Sequence, residues 1–141
     1  MNGELDNGQG TPGTSFSGSQ SFSYGGGTLT LTVAGPGQFF FNSSNGRLTV
    51  RGGTSATNIT VKTTAGSLDN FDIVTNDDAS LGNVTFQSTV GGDSDLIVDG
   101  NIANLVYTNF NGTGGIILGG DLTSATFANM SGGSLTARNA P

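Results

Sequence analysis

A strand-forming pattern recurs along this chain about every 20 residues, and few folds can accommodate such a pattern. One copy runs Asp95-Leu96-Ile97-Val98-Asp99-Gly100 and then Asn104-Leu105-Val106-Tyr107-Thr108-Asn109. The next runs Gly115-Ile116-Ile117-Leu118-Gly119-Gly120 and then Ser124-Ala125-Thr126-Phe127-Ala128-Asn129. Leu96 to Ile116 is 20 residues, and Leu105 to Ala125 is also 20. Short apolar runs broken by glycine at a fixed period in this range are the pattern of a solenoid whose coils stack on one another.

The register extends towards the N-terminus. The second strand of each rung reads as Gln38–Ser43, Asn58–Thr63, Asn83–Ser88, Asn104–Asn109 and Ser124–Asn129, at spacings of 20, 25, 21 and 20. Strict alternation predicts one inward column of Phe39, Ile59, Val84, Leu105 and Ala125. It predicts a second of Phe41, Val61, Phe86, Tyr107 and Phe127, a ring stack interrupted once. The first strands read as Thr28–Val33, Arg47–Val50, Phe71–Val74, the Leu96 and Ile116 strands, and Ser134–Ala137. The two longer rungs carry their extra residues around 64–70 and 76–82. Insertions belong in turns, because a one-residue slip within a strand turns its core face outward. Paired turn signals such as Asn45-Gly46, Gly91-Gly92 and Gly132-Gly133 fall between the strands.

Residues 1–27 differ. Gly, Ser, Gln and Asn dominate and aliphatic side chains vanish after Leu5, which predicts a flexible leader followed by a solenoid domain over 28–141. Within the leader, Gln20-Ser21-Phe22-Ser23-Tyr24 alternates like a second strand whose first strand is missing.

Hydrophobic residues are 33% of the chain and charged residues 10%, both low for a compact globule. A solenoid tolerates this because its core is a narrow column fed by two or three side chains per strand. The net charge of −6, with four cations in all, argues against a nucleic-acid partner. No cysteine is present, so disulfides and cysteine-based zinc sites are excluded. No stretch has the length of a membrane-spanning helix.

Polar columns open the second strands (Gln38, Asn58, Asn83, Asn104, Ser124) and close them (Ser43, Thr63, Ser88, Asn109, Asn129). Stacked amides can hydrogen-bond along a ladder and lock register. A polar ligand groove is the other reading. Asp77, Asp78, Asp93, Asp95 and Asp99 are calcium candidates, since carboxylates are the hard oxygen donors that ion prefers. None of them sits in the nonapeptide calcium repeat, and solvated turn carboxylates are the competing reading. The outward column Phe40, Thr60, Thr85, Val106 and Thr126 suggests a threonine array, either an ice-binding face or ordinary strand formers. There is no His, Cys or Trp, and no nucleophile–base–orienter set can be assembled, so no enzyme is expected. Five Asn-x-Ser/Thr sequons, at Asn42, Asn58, Asn83, Asn111 and Asn129, read either as glycosylation acceptors or as the chance product of a composition this rich in Asn, Ser and Thr, the stronger reading.

The recurrent Gly-x-Leu-Thr/Ile-Val and Asn-hydrophobic-Thr-hydrophobic units, such as Asn58-Ile59-Thr60-Val61 and Asn83-Val84-Thr85-Phe86, resemble those of bacterial secreted β-solenoids over residues 28–138. That class includes filamentous-haemagglutinin-type adhesins and related giant surface proteins. The resemblance implies an extracellular or surface-attached adhesive or structural role. The fold expected is an all-β, single parallel solenoid of about five to six rungs, right-handed because parallel crossovers are. The function expected is a subunit of an extracellular filament, sheath or adhesin that assembles head to tail. Phe22 and Tyr24 would meet Leu135 and Ala137 of the next copy, two complementary half-rungs. The alternative is a carbohydrate-binding or carbohydrate-cleaving solenoid with surface glycans as partners.

Overall fold

The computed structural model describes residues 13–76 and 79–138. They form fourteen strands and no helix. The strands are β1 (Thr14–Phe16), β2 (Gly18–Tyr24), β3 (Gly27–Ala34), β4 (Gln38–Asn42), β5 (Arg47–Arg51), β6 (Asn58–Thr63) and β7 (Leu68–Asp69). They continue as β8 (Asp72–Asn76), β9 (Leu81–Gly91), β10 (Leu96–Val98), β11 (Ile102–Phe110), β12 (Gly115–Leu118), β13 (Leu122–Phe127) and β14 (Ser134–Thr136). Two sheets face each other. The first has the order β1-β4-β5-β8-β10-β12-β14, and the second β13-β11-β9-β6-β3-β2, with short β7 added beside β9.

From β5 onward the chain crosses one sheet and then the other, and every pairing is parallel. This is a β-solenoid of about four turns rather than the five to six expected from spacing. The columns read from alternation hold in this region. Ile59, Val84, Leu105 and Ala125 are in register, as are Val61, Phe86, Tyr107 and Phe127. In the first sheet, Leu48, Ile73, Leu96, Ile116 and Leu135 line up in the same way.

The missing turns are accounted for by residues 13–46, where every pairing is antiparallel. β3, expected to stack on β5, pairs with β6 in the second sheet, with Leu31 opposite Val61. β4, expected to stack on β6, pairs with β5 in the first sheet, with Phe41 opposite Leu48. Local turn chemistry is the cause. Gly25 and Gly26 lie at φ +68° and +86°, the two-residue type I′ geometry that folds β2 flat back onto β3. Between β4 and β5, the Gly46 N–H donates to the Asn42 carbonyl at 2.8 Å, and the Asn42 and Asn45 side chains accept the N–H groups of Ser44 and Arg47. Such turns reverse the chain within a sheet instead of carrying it round a corner.

The leader is corrected by the same finding. Residues 14–24 are strands β1 and β2, with Phe16, Phe22 and Tyr24 packed on the core; residues 1–12 lie outside the described residues. The first strand thought missing before Gln20–Tyr24 is β1.

Aromatic rings run through the whole interior, from Phe16–Phe22 (5.5 Å between centroids) to Phe22–Phe41 (4.7 Å), Phe41–Phe71 (6.1 Å) and Phe71–Phe86 (6.4 Å). Phe86–Tyr107 and Tyr107–Phe127 are parallel stacks at 4.4 and 5.5 Å. Burial pushes the Tyr107 phenol far above its ordinary pKa, so the stack stays uncharged.

The corners are tied differently from the amide-on-amide ladders expected. A side-chain oxygen of one coil accepts a main-chain N–H of the next. Asn58 Oδ1 takes the N–H of Asn83, Asn101 Oδ1 that of Asp121, Asp72 Oδ1 that of Asp95, and Asp95 Oδ1 that of Gly115, all at 2.7–2.9 Å. Corner residues turn their N–H groups away from the strand ladder, and a polar side chain one coil below supplies the acceptor. Gln38 is not in this column, since it lies opposite Arg51.

Candidate functional site: the two ends of the solenoid

Function in a molecule with so little titratable chemistry is sought where strands lack partners. Among the described residues each sheet ends in an edge, and the four edge strands are β1 and β2 at one end and β14 and β13 at the other. None of the four contains a charged residue or a proline. Lys, Pro and inward-pointing charge are the devices that ordinarily keep sheet edges apart, so these edges are chemically open.

Strand direction carries further information. β1 is antiparallel to β4, which is antiparallel to β5, so β1 runs the same way as β5 and as all the first-sheet strands after it, β14 included. β2, β3 and β6 repeat this relation in the second sheet. Two reversals per sheet restore the original polarity. β1 and β2 together therefore make one coil, first sheet then second, pointing like the coils at the far end.

Of the four residues expected to mediate assembly, Phe22 and Tyr24 lie half-buried over Phe41, and the Tyr24 hydroxyl donates to the Asn70 carbonyl at 2.6 Å. Burial, with Asp72 and Asp69 nearby, raises the Tyr24 pKa and keeps that donor protonated. Leu135 ends the first sheet's described inward column and is 38% exposed, and Ala137 is partly buried against the core. The two ends are thus not the complementary half-rungs expected: one end presents a full coil, the other a half-coil. Sequence reasoning missed β1, because a three-residue strand of Thr, Ser and Phe carries no periodic signal. It read Phe71 as a first-strand residue but not as part of the aromatic column, where its buried ring joins Phe41 to Phe86.

The acidic residues do not converge. Asp95 is taken up in its corner ladder, the Asp93 N–H donates to Asn70 Oδ1, and the Asp99 N–H donates to Thr75 Oγ1. Among the described residues no three acidic side chains meet closely enough to hold a metal ion. Asp77 and Asp78 lie outside the described residues. Burial is the main cause that raises the Asp72 pKa, against the hydrogen bond it accepts from the Asp95 N–H and Arg47 at 3.7 Å, both of which lower it.

A shallow groove runs along one corner, lined by Ser55, Ser80, Asn101, Asp121 and Thr123 among others. Its carboxylate at Asp121 is held by Arg138 Nε at 2.8 Å, and no aromatic side chain lines it. Among the described residues no helix is long and apolar enough to cross a membrane. No family model, no curated protein and no solved structure matches this chain.

Proposed function

We propose that this protein is a structural subunit of an extracellular filament, sheath or adhesin of the bacterial β-solenoid kind, joined head to tail by strand pairing. The observation that carries the reading is the restored polarity of β1 and β2. A second copy translated along the solenoid axis would set β14 parallel beside β1, the arrangement that β12 and β14 already have. The contact is heterologous and does not close on itself, so it propagates. Uncharged edges and the exposed Leu135 support it. Because one end is a half-coil, this contact leaves one strand position between β13 and β2 of the next copy.

The test is Leu135→Lys, which places an inward-pointing charge on an edge strand. The wild type should form unbranched filaments in electron micrographs and sediment as a polymer, and L135K should sediment as a folded monomer. Gln87→Lys, exposed on the outer face of the central strand β9, should assemble normally. A monomeric wild type at its highest soluble concentration sinks the reading. Deleting residues 1–27 is a poorer test, because it strips Phe22 and Tyr24 from Phe41. The glycan reading rests on the corner groove, which has an acid but lacks an aromatic platform for a sugar.

A further inference from the structure

The two sheets do not stop at the same coil. From β5 onward each first-sheet strand leads round a corner into the second sheet, with β12 and β13 the last such pair. Among the described residues β14 leads into none. Arg138 already stands at that corner, its N–H on the Gly120 carbonyl at 2.9 Å. The inward columns register the vacancy. Leu105 and Tyr107 on β11 are 0% and 2% exposed, whereas Ala125 and Phe127, one coil on, are only partly buried. Phe127 stacks on Tyr107 at 5.5 Å, and among the described residues no further ring covers its other face. In the head-to-tail contact the vacancy lies between β13 of one copy and β2 of the next, whose Phe22 and Tyr24 are also only partly buried.

We infer that residues 2–7 of the following copy fill this vacancy as a strand. They would pair with β13 of the preceding copy on one side and with their own β2 on the other. The inference rests on the head-to-tail reading. Connectivity favours this occupant: β1 and β2 make one coil, so a strand leading into β1 from the coil before belongs to the second sheet, in that position.

Length and register fit as well. Twelve residues precede Gly13 in the sequence. Round the equivalent corners, Phe86 to Leu96 is 10 residues, Tyr107 to Ile116 is 9 and Phe127 to Leu135 is 8. Thr14 belongs to the column of Leu48, Ile73, Leu96, Ile116 and Leu135. Nine residues back from Thr14 is Leu5, which this register sets against Phe127 of the preceding copy. A spacing of 10 or 8 would instead bury Glu4 or Asp6, and an unpaired carboxylate is very costly inside. With Leu5 inward, Glu4 and Asp6 point outward, between strands β13 and β2 that carry no charge. Gly8, Gly10 and Gly13 fall in the corner, and Gly13 enters β1 at φ +103° as Gly133 enters β14 at +79°.

The chain has no cysteine, so single substitutions report on the pairing alone. In this register Glu4 stands beside Thr126 of the preceding copy on the outer face. Neighbouring strands lie about 4.8 Å apart, within disulfide reach. An equimolar mixture of E4C and T126C proteins, oxidised after assembly, should give disulfide-linked dimer on a denaturing gel, and either variant alone almost none. Leu5→Asp should raise the concentration at which filaments form by about tenfold, the loss expected for one buried aliphatic side chain. Its circular dichroism as a monomer should match that of the wild type, and Glu4→Gln should assemble normally. Wild-type filaments with no mixed dimer, or L5D assembling as readily as the wild type, would overturn this inference and leave the head-to-tail reading standing. A wild type that stays monomeric at its highest soluble concentration overturns both.

Discussion

Residues 13–46 and 47–138 are made of the same material, short alternating strands between glycine-bearing turns, yet one part pairs antiparallel and the other parallel. In the parallel part each coil is held to the next by three kinds of contact in register. These are main-chain ladders, inward apolar columns and side-chain acceptors at the corners. The antiparallel part keeps the ladders and the inward faces. Its corners are replaced by hairpins, and its outermost aromatics, Phe16, Phe22 and Tyr24, are only partly buried. The comparison teaches that alternation decides which face of a strand is inside, whereas the turn decides which sheet the strand enters.

The largest expected effect probes the parallel stack. Phe86 is buried and stacks on Tyr107 at 4.4 Å. Phe86→Ala should cost about 3–5 kcal/mol, the usual range for emptying an aromatic core site. Thr85→Ala, on the outer face, should cost no more than about 0.5 kcal/mol. Equal melting temperatures for the two would break the register. Phe22→Ala in the antiparallel part removes a ring that is only partly buried and should fall between them. In hydrogen exchange, β1 and β2 should open at lower free energy than β9 and β11, as an edge element with fewer packed neighbours does. Uniform protection across both parts would erase the distinction.

The hairpins come next. Gly46 lies at φ +69°, and an added methyl would fall on the Tyr24 hydroxyl and the Asn70 carbonyl. Gly46→Ala should therefore cost about 1–3 kcal/mol in thermal or denaturant unfolding, since it combines a disfavoured backbone with a clash. A cost near zero would mean that the turn between β4 and β5 is not the in-sheet reversal described.

What was legible in the sequence divides along the same line. From Leu48 onward the inward columns followed from spacing, because each coil repeats one connection and the period is then real. The extra residues did not all fall in turns, since Leu68–Asp69 forms β7 beside β9 and Leu81 and Gly82 belong to β9. Leu29 to Leu48 is 19 residues and looks like another period. It is a coincidence of two hairpins, and Leu29 belongs to the second sheet, opposite Thr63. Phe39 and Phe41 were correctly read as inward, because antiparallel and parallel pairing share the same two-residue alternation, while their sheet was not. The ends were least legible. β1 is too short for periodicity, and the polarity of β1 and β2 depends on counting reversals, which needs the pairing itself.

A smaller effect tests the tie between the two parts. The Tyr24 hydroxyl donates to the Asn70 carbonyl at 2.6 Å, pinning the β2–β3 hairpin to the turn before β8. Tyr24→Phe keeps the ring against Phe41 and removes only the hydroxyl, with its bond to Asn70 and a longer one to the Asp69 carbonyl at 3.3 Å. A loss of about 0.5–1.5 kcal/mol is expected, concentrated in the exchange rates of β2 and β3. A loss spread evenly over all coils would mean that the hairpin and the stack unfold as one unit.

The smallest expected effect lies at Asp72, where the corner ladder begins in the parallel part. Burial raises its pKa above the ordinary aspartate value, outweighing the hydrogen bond from the Asp95 N–H and Arg47 at 3.7 Å, both of which lower it. A carboxyl whose folded pKa exceeds its unfolded one favours the folded state while protonated, and that advantage is lost as pH rises through the folded value. Ionised Asp72 is thus a modest liability at neutral pH. Asn at this position keeps an oxygen to accept the Asp95 N–H, which Asp72 Oδ1 now takes at 2.9 Å, and carries no charge. Asp72→Asn should therefore raise the melting temperature slightly at pH 7, and the gain should vanish as pH falls through the carboxylate range and the wild-type residue takes up its proton. Asp72→Ala loses the acceptor and should be destabilising at every pH. If D72N lowers stability at pH 7 and the deficit disappears in acid, then the pair with Arg47 outweighs the desolvation, and the corner is held by charge rather than by its hydrogen bond.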